Sequence, residues 1–514
     1  MSGKYIDIHC HPSLFPFNRM RNTKKEDTEE YNLWHSDPPS EWEKGKIIRY
    51  SQSDFPTLIQ GDFKVICASL TPIEREFLLG QEEGNKLEKK GVLNEFRDEI
   101  IHGDNAVRVV GCSLVSSFPI SRVKFLQSNE YDYFKELNRN YDFYLKDNDK
   151  VFKFKPIDND KNLNRDLLQG KYILTKNFSD IERVLNHKLK GVGQIAVVFT
   201  IEGGHIFSKN SRGKDRTIKK MLNRIDYIKT NWKYPVLFVS PAHHFYNGLC
   251  GHARSIPYNL RWIADQDVGM GGEITKLGMT AIKRFLSIDG SRGRRILIDI
   301  KHMSPEARKQ YYYDIVIPYN QENEEKKIPI VASHVAYSGV KSLDELVGIS
   351  KSEIDSEVNG KDKFFPTSLN LCDEEIQMIA KSGGLFGLIL NERLLASKER
   401  LDKIKDRKDP KEWAQIMFEQ IEGCIRAVQS VAKSREEKRE AWDCLAIGSD
   451  FDGFCNPPDT FYSAATIPLL EESLIEILKE YPEQKSLLAG LDVEEAVEKV
   501  MFENVFEFLR RNFH

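Results

Sequence analysis

The 514-residue sequence predicts a single (β/α)8 TIM barrel with long loop insertions. Eight short apolar runs recur along the chain, and most are followed by a stretch in which apolar residues have helical spacing. Near-continuous apolar character is typical of strands that helices cover on both faces. Histidine and acidic residues follow the ends of several runs, at the positions where a barrel of this kind builds its active site.

The predicted strands and helices alternate along most of the chain. The eight strands are Tyr5–His9, Phe63–Leu70, Ile195–Ile201, Pro235–Ser240, Arg295–Ile300, Ile328–Ser333, Leu385–Leu390 and Cys444–Ser449. Three of the interleaved helices are predicted at Ser304–Tyr313, Asp373–Lys381 and Asp409–Lys433. The last stretch, Val493–His514, has the apolar spacing of a closing amphipathic helix. A ninth apolar run, Ala106–Leu114, is left outside the barrel.

Three connections are far longer than the ordinary loops of a barrel. They cover about 13–60, 71–190 and 338–370. Because long segments without a regular apolar pattern commonly carry function at a barrel mouth, we expect these connections to cover one face as lids. The whole chain, 1–514, is therefore treated as one domain with insertions.

Composition and charge exclude several classes of protein. The formal net charge of −3 comes from interspersed acids and bases, which predicts no nucleic acid or anionic membrane as a partner. The sequence contains no apolar run of the about 18 to 20 residues that a membrane span needs and no signal-like N-terminus, so we expect a cytoplasmic protein. Its eight cysteines lack CxxC spacing and are predicted to be reduced.

The stretch YIDIHCHPS near the N-terminus contains two histidines that are one residue apart. Residues two apart share a face of a strand, so His9 and His11 can point together into the barrel mouth while Cys10 points away. For this pair alone, metal ligation and ordinary loop hydrogen bonds are equally good interpretations. Ligation is favoured by the other polar residues at predicted strand ends, which are Glu202, His302, His334 and Asp450.

Imidazoles and carboxylates without thiolates predict a site for divalent ions such as zinc. Two ions are predicted. One would be bound by His9, His11 and Glu202, and the other by His302, His334 and the bridging Glu202. A water between the two ions would lose a proton near neutral pH, as in other two-metal hydrolytic sites.

The remaining candidates have catalytic or substrate-binding roles. Asp450 is predicted to take the proton from the attacking water and to deliver it to the leaving group. In the doublet His243-His244, the second histidine is the preferred group for polarising the substrate. Both histidines, together with Asn247 and Tyr337, are predicted to contact a small-molecule substrate.

At these residues the sequence resembles the membrane (renal-type) dipeptidase family, peptidase family M19, in the amidohydrolase superfamily. The similar blocks are TIEGGH at 200–205, LIDIKHMS at 297–304, PIVASHVAYS at 329–338, IGSDFDG at 447–453 and ENVFEFL at 503–509. The resemblance implies a binuclear zinc barrel with Glu202 as the bridge, His302 and His334 on the second ion, and Asp450 as the acid/base. It also implies substrate contact by His244 and a homodimer.

Two features depart from the family pattern. The family usually opens with His-x-Asp, whereas this chain has His9-x-His11. The family also has an arginine after the sixth strand that binds the substrate's C-terminal carboxylate; SLNLCDEEI at 368–376 has none and follows an insertion of about 30 residues. The sequence predicts a dipeptidase-like, metal-dependent hydrolase in which a metal-bridging hydroxide attacks an amide or peptide bond. The missing arginine removes much of the reason for a dipeptide to bind. A cyclic amide, lactone or N-acyl substrate, or a non-catalytic metal-binding barrel, remains as an alternative.

Overall fold

The computed structural model describes residues 5–19, 32–37, 50–79, 118–156, 167–257, 264–354, 356, 363–404 and 409–514. The ninth apolar run of the sequence, Ala106–Leu114, lies outside these residues. The strands of the described residues are β1 (Tyr5–Cys10), β2 (Phe63–Leu70), β3 (Phe152–Phe154), β4 (Leu168–Leu174), β5 (Gly193–Glu202), β6 (Val236–Ser240), β7 (Leu297–Ile298), β8 (Val331–Val335), β9 (Leu385–Leu388) and β10 (Leu445–Ile447).

Eight of the strands form the predicted barrel, and all their pairings are parallel. From β1, one side runs through β2, β5, β6 and β7, and the other side runs through β10, β9 and β8. The two sides meet where Asp299, just after β7, forms a parallel bridge with Val331 of β8. The (β/α)8 fold is therefore confirmed, and all eight predicted barrel strands are present.

Two further strands, β3 and β4, were not predicted. They lie in the long 71–190 connection, where they pair antiparallel, and β4 then joins the N-terminal half of β5 beside β6. Alternate residues of β4 are buried, because only one of its faces is covered. This half-polar pattern lacks the continuous apolar character of the barrel strands. The expectation that the whole connection covers one barrel face is thus corrected, since this part extends the sheet.

Helices surround the barrel. The α-helices of eight or more described residues are Ile120–Gln127, Tyr133–Asp147, Phe178–Asn186, Ile218–Asn231, Lys276–Phe285, Leu343–Ser352, Asp373–Ser382, Pro410–Gln429, Ile467–Glu480 and Asn504–Asn512. Shorter α-helices are Leu14–Asn18, Phe55–Gln60, Glu76–Leu79, His205–Ser208, Pro305–Gln310, Ile317–Glu322, Glu392–Leu395, Lys398–Ile404, Arg435–Glu440, Gln484–Leu488 and Val493–Glu498. π-helical turns interrupt two of the predicted helices, at Tyr311–Val316 and Lys499–Glu503.

The C-terminal helix Asn504–Asn512 closes the end of the barrel at which the strands begin. Its Val505, Phe508 and Leu509 share one buried apolar cluster with barrel residues such as Ile6 and Val65. Burial of such side chains away from water is the main stabilising contribution in a core of this kind. The opposite end of the barrel, where the strands finish, carries the polar residues.

Two predictions about the whole chain can be compared with the described residues. Each of the seven cysteines in this part of the chain is a buried free thiol, as expected for reduced cysteine. None of the described helices combines the length and the apolar character that crossing a bilayer requires.

Candidate metal centre

The first two histidines owe their orientation to an irregularity in β1. Between Asp7 and Cys10, β1 has one more residue than β2 has along the same stretch. In a regular strand Ile8 and His9 would face opposite sides, but the additional residue lets both face the barrel interior. His11 then points to the mouth as well. The Asp7 carboxylate stabilises this backbone by accepting the N–H of His9 at 3.0 Å.

Strand β8 has the same kind of irregularity. Between Ala332 and Val335 it has one residue more than β9 has along the same stretch, and His334 lies in this stretch. A buried carboxylate again supports the backbone, because Asp299 accepts the N–H of Ser333 at 2.9 Å and its hydroxyl at 2.7 Å. The Ser333 hydroxyl also lies 2.8 Å from Nδ1 of His334.

Glu202, the last residue of β5, is the carboxylate on which the imidazoles converge. Its Oε1 lies 3.1 Å from Nε2 of His302 and 3.3 Å from Nε2 of His334. Its Oε2 lies 3.3 Å from Nε2 of His11 and 3.5 Å from Nε2 of His243. One carboxylate therefore stands between two groups of imidazoles, which is the arrangement that a bridging ligand needs.

Asp450 lies beside the first group of imidazoles, which are those of His9 and His11. The Nε2 atoms of His9 and His11 are 3.0 Å apart, and Oδ1 of Asp450 lies 3.8 Å and 3.3 Å from them, respectively. Asp450 has a φ of 59° and His302 a φ of 66°. These left-handed conformations are uncommon for side chains with a Cβ and recur at functional sites, where the surrounding structure holds them in place.

Burial and neighbouring charges determine the protonation of Glu202 and of the second group of imidazoles, His302 and His334. Burial favours the protonated form of Glu202, but the imidazoles of His243 and His9 outweigh it and hold the pKa of the carboxyl well below its usual range. Burial lowers the pKa of His302 to about 3 and that of His334 well below its ordinary value. Glu202 is therefore a carboxylate and these two imidazoles are neutral, which is the state in which all three bind metal.

His11 behaves differently in the absence of a cation. Burial lowers its pKa, but hydrogen bonds to Asp450 and Glu202 outweigh burial and raise the pKa to about 10. A divalent ion bound at this position would replace the proton. The two carboxylates that stabilise the proton would stabilise the ion for the same electrostatic reason.

Glu74 is a member of the site that sequence reasoning missed. It follows β2 and is buried, with Oε2 2.7 Å from Nδ1 of His243. It also accepts the N–H groups of His244 and Phe245, each at 3.2 Å. Burial lowers the pKa of His243, but Glu202 and Glu74 on its two sides outweigh burial and raise it. The available signal was an acidic residue shortly after a strand end, in TPIERE at 71–76.

His244, the preferred substrate contact, lies beside His302 with ring centroids 5.1 Å apart. Its Nδ1 is 2.7 Å from the Ser255 hydroxyl. Burial and the neighbouring imidazoles His243 and His302 hold its pKa well below the ordinary value, so the ring is neutral. The two histidines of the doublet thus differ in their partners, since His243 faces carboxylates and His244 faces a hydroxyl.

The other two predicted substrate contacts have their polar groups in different surroundings. The Asn247 amide donates to the carbonyl of Pro241 at 2.7 Å and accepts the N–H of Leu249 at 3.0 Å, so it shapes its own loop. The hydroxyl of Tyr337 donates to Asp373 at 2.5 Å. These two side chains thus hold the backbone and a helix start, and their contact with a substrate stays a prediction.

The donor set fits divalent cations. Ligand atoms that lie within 4.8 Å of one another form four groups in the described part of the chain: His9, Glu202 and His334; His9, His11 and Asp450; Glu202, His243 and His302; and Glu74, His205 and His243. Nitrogen atoms that face each other or share one oxygen are arranged as ligands around a cation would be. Nitrogen and oxygen donors without thiolate suit zinc and similar ions.

Histidines and carboxylates thus converge at the mouth of a (β/α)8 barrel, an arrangement that can bind divalent cations. No family model matches the chain, and no curated protein matches its sequence. Solved structures do match it. Dipeptidase AC, a metallopeptidase of family M19, is 12% identical with a TM-score of 0.50, and the match covers 100% of this chain and 99% of that one. This likeness shows the fold.

Two further matches are similar in extent. A metallopeptidase from Rhodobacter sphaeroides, bound to a phosphinate mimic of the dipeptide L-Ala-D-Ala, is 13% identical over 99% of both chains, with a TM-score of 0.48. The probable dipeptidase PvdM from Pseudomonas aeruginosa is 14% identical over 99% of this chain and 94% of that one, with a TM-score of 0.42.

Proposed function

We propose that this protein is a metal-dependent hydrolase that cleaves an amide or peptide bond of a small molecule. The observation that carries the proposal is the position of Glu202, whose two oxygens each face a separate group of imidazoles. The dipeptidase with which the chain shares its fold supports a peptide-type substrate.

Two cations, of which zinc is the proposed identity, fit the donor set. His9, His11 and one oxygen of Glu202 would hold the first ion. The other oxygen of Glu202, with His302 and His334, would hold the second ion. Nε2 of His243 lies 3.5 Å from Oε2 of Glu202. When bound, such ions lower the pKa of a water and polarise the carbonyl that is to be attacked.

Asp450 is the proposed proton carrier. Its side chain is 13% exposed, whereas those of His9 and Glu202 are 0% and 4% exposed, so it faces the mouth more than they do. A carboxylate in this position can accept a proton from water at Oδ1 and donate it to the leaving nitrogen. His244 is the proposed group that donates a hydrogen bond to the substrate oxygen.

A panel of L-L, L-D and N-acylated dipeptides tests the proposal. The zinc-loaded protein should release product from at least one of them, and Asp450→Asn serves as the blank because it leaves the imidazoles in place. Turnover at the level of the blank across the panel, with metal bound, would contradict cleavage of a dipeptide. A second panel of cyclic amides, lactones and N-acyl compounds would then separate a different substrate from an inactive site.

A further inference from the structure

We infer that Gln266 and Ser255 are positioning residues that fix His244 in one tautomer, with the proton on Nε2. The inference rests on the proposed function, because it concerns the group offered to the substrate. None of the sequence motifs pointed to either residue. Both are buried in the wall that the 241–257 and 264–274 segments build beside the mouth.

The backbone determines which way the Gln266 amide points. Its Oε1 accepts the N–H of Ser255 at 3.2 Å and the N–H of Ile256 at 2.8 Å. Backbone N–H groups can only donate, so the oxygen must be on this side of the amide. The NH2 group therefore lies on the other side, where it donates to the carbonyl of His244 at 2.5 Å and to the hydroxyl of Ser255 at 2.8 Å.

The direction of the amide then determines the direction of the hydroxyl. Because Oγ of Ser255 accepts a hydrogen from Gln266, its own hydrogen can be given to Nδ1 of His244, 2.7 Å away. If Nδ1 carried a proton instead, two donors would point at one hydroxyl, and the hydroxyl hydrogen would lack this acceptor. A buried donor without an acceptor costs free energy, so the chain of hydrogen bonds favours an unprotonated Nδ1.

A neutral imidazole with an unprotonated Nδ1 carries its proton on Nε2. His244 thus presents an N–H donor on the ring edge that Ser255 does not occupy, beside His302. A donor that is oriented before the reaction stabilises negative charge as it develops on a substrate oxygen. His243 differs, since a carboxylate oxygen of Glu74 lies 2.7 Å from its Nδ1.

Nitrogen NMR of the whole protein labelled at histidine tests the tautomer without any substrate. The His244 signals are identified as those missing from His244→Gln. We expect a pyrrole-type Nε2 and a pyridine-type Nδ1 in the native protein and in Ser255→Thr, which keeps the hydroxyl. Ser255→Ala should shift the two signals toward an average of both tautomers.

A protonated Nδ1 in the native protein, or a Ser255→Ala spectrum equal to the native one, would overturn the inference. If Ser255→Ala does not fold, the spectrum of the native protein alone decides. The spectra need no turnover. The inference can therefore fail while the proposed function stands, and the proposed function can fail while the inference stands.

Kinetics provide the second readout. Once a substrate is known, Ser255→Ala should lower kcat by between about tenfold and about a thousandfold. The upper limit corresponds to complete loss of the hydrogen-bond donor at Nε2 of His244. KM should change little, and Ser255→Thr should restore kcat. A loss that Ser255→Thr does not restore, or one confined to KM, would contradict the positioning role.

Discussion

The imidazole rings of His9 and His334 stack with their centroids 3.9 Å apart and their planes 23° from parallel. Each ring lies on a strand that has one residue more than its neighbour at that point. Buried carboxylates support both irregular strands, Asp7 in the first case and Asp299 in the second. An additional strand residue with a supporting buried carboxylate therefore occurs twice in the barrel, and the two instances bring the imidazoles together.

Loss of the Asp299 carboxylate should destabilise the fold. It accepts the hydroxyls of Ser240 and Ser333, at 2.6 Å and 2.7 Å, and the N–H groups of Ser333 and Lys301, at 2.9 Å and 3.1 Å. Asp299→Ala leaves these donors without their acceptor and should cost about 2 to 4 kcal/mol, measured by urea unfolding of the metal-free protein. Ser240→Ala, which removes one donor, should cost less; equal losses would contradict this role.

His302→Ala should lower the metal content. The variant removes one of the nitrogen atoms next to Oε1 of Glu202, so we expect elemental analysis to show about one ion fewer per chain after dialysis against zinc. His187→Ala is the matched control, because His187 is exposed on the outside of the protein. Unchanged occupancy in His302→Ala would rule out this histidine as a ligand.

Asp450→Asn should separate metal binding from turnover. The amide keeps the size of the side chain but cannot accept a proton, so kcat should fall about 10²- to 10⁴-fold while the metal content stays that of the native protein. Steady-state kinetics and elemental analysis on the same samples measure both quantities. Near-normal turnover would place the proton carrier elsewhere, and loss of metal would make Asp450 a ligand.

Acid should destabilise the protein partly through His252. Burial lowers the pKa of this imidazole from 6.5 to about 4, and its Nε2 lies 3.0 Å from the carbonyl of Gln266. Below pH 6.5 the unfolded chain takes up a proton that the folded chain does not, so stability is lost as the pH falls toward 4. The loss is at most about 3 kcal/mol from this group.

Urea unfolding of metal-free protein across this pH range measures the slope. His252→Gln, whose amide can still donate to Gln266, should lose less stability between pH 6.5 and 4 than the native protein does. Part of the slope should remain, because burial also lowers the pKa of His205 to about 4. An identical slope in the variant would show that His252 does not contribute.

Sequence periodicity was sufficient to predict the barrel strands but not the strands that the long connections add to the sheet. The barrel strands are covered on both faces, so their apolar runs stand out, and the residues just after them can be placed at the mouth from strand order alone. β4 has one covered face, and its alternating pattern was missed. Helix positions such as Asp373–Ser382 agree with the prediction within a residue or two.

The candidate site was predictable where a residue ends a barrel strand, as Glu202 does. The side-chain partners were not, because they depend on contacts between segments far apart in the chain. Glu74 and Gln266 come from connections whose path no periodic pattern reveals, yet they set the surroundings of His243 and His244. Likewise, no sequence pattern showed that the amide of Asn247 donates to the carbonyl of Pro241 within its own loop.

The pairing of β1 with β10 has a consequence for how the protein acquires its ions. Asp7 is the register partner of Ile447, so the barrel cannot close until segments from opposite ends of the described chain have met. Topologies with such distant contacts fold slowly, because the entropy of closing a long loop is lost before the pairing stabilises it. Until β1 and β10 have paired, His9 and His11 are not held beside Asp450, which follows β10. We therefore expect a metal ion to bind late in folding and then to stabilise the closed barrel.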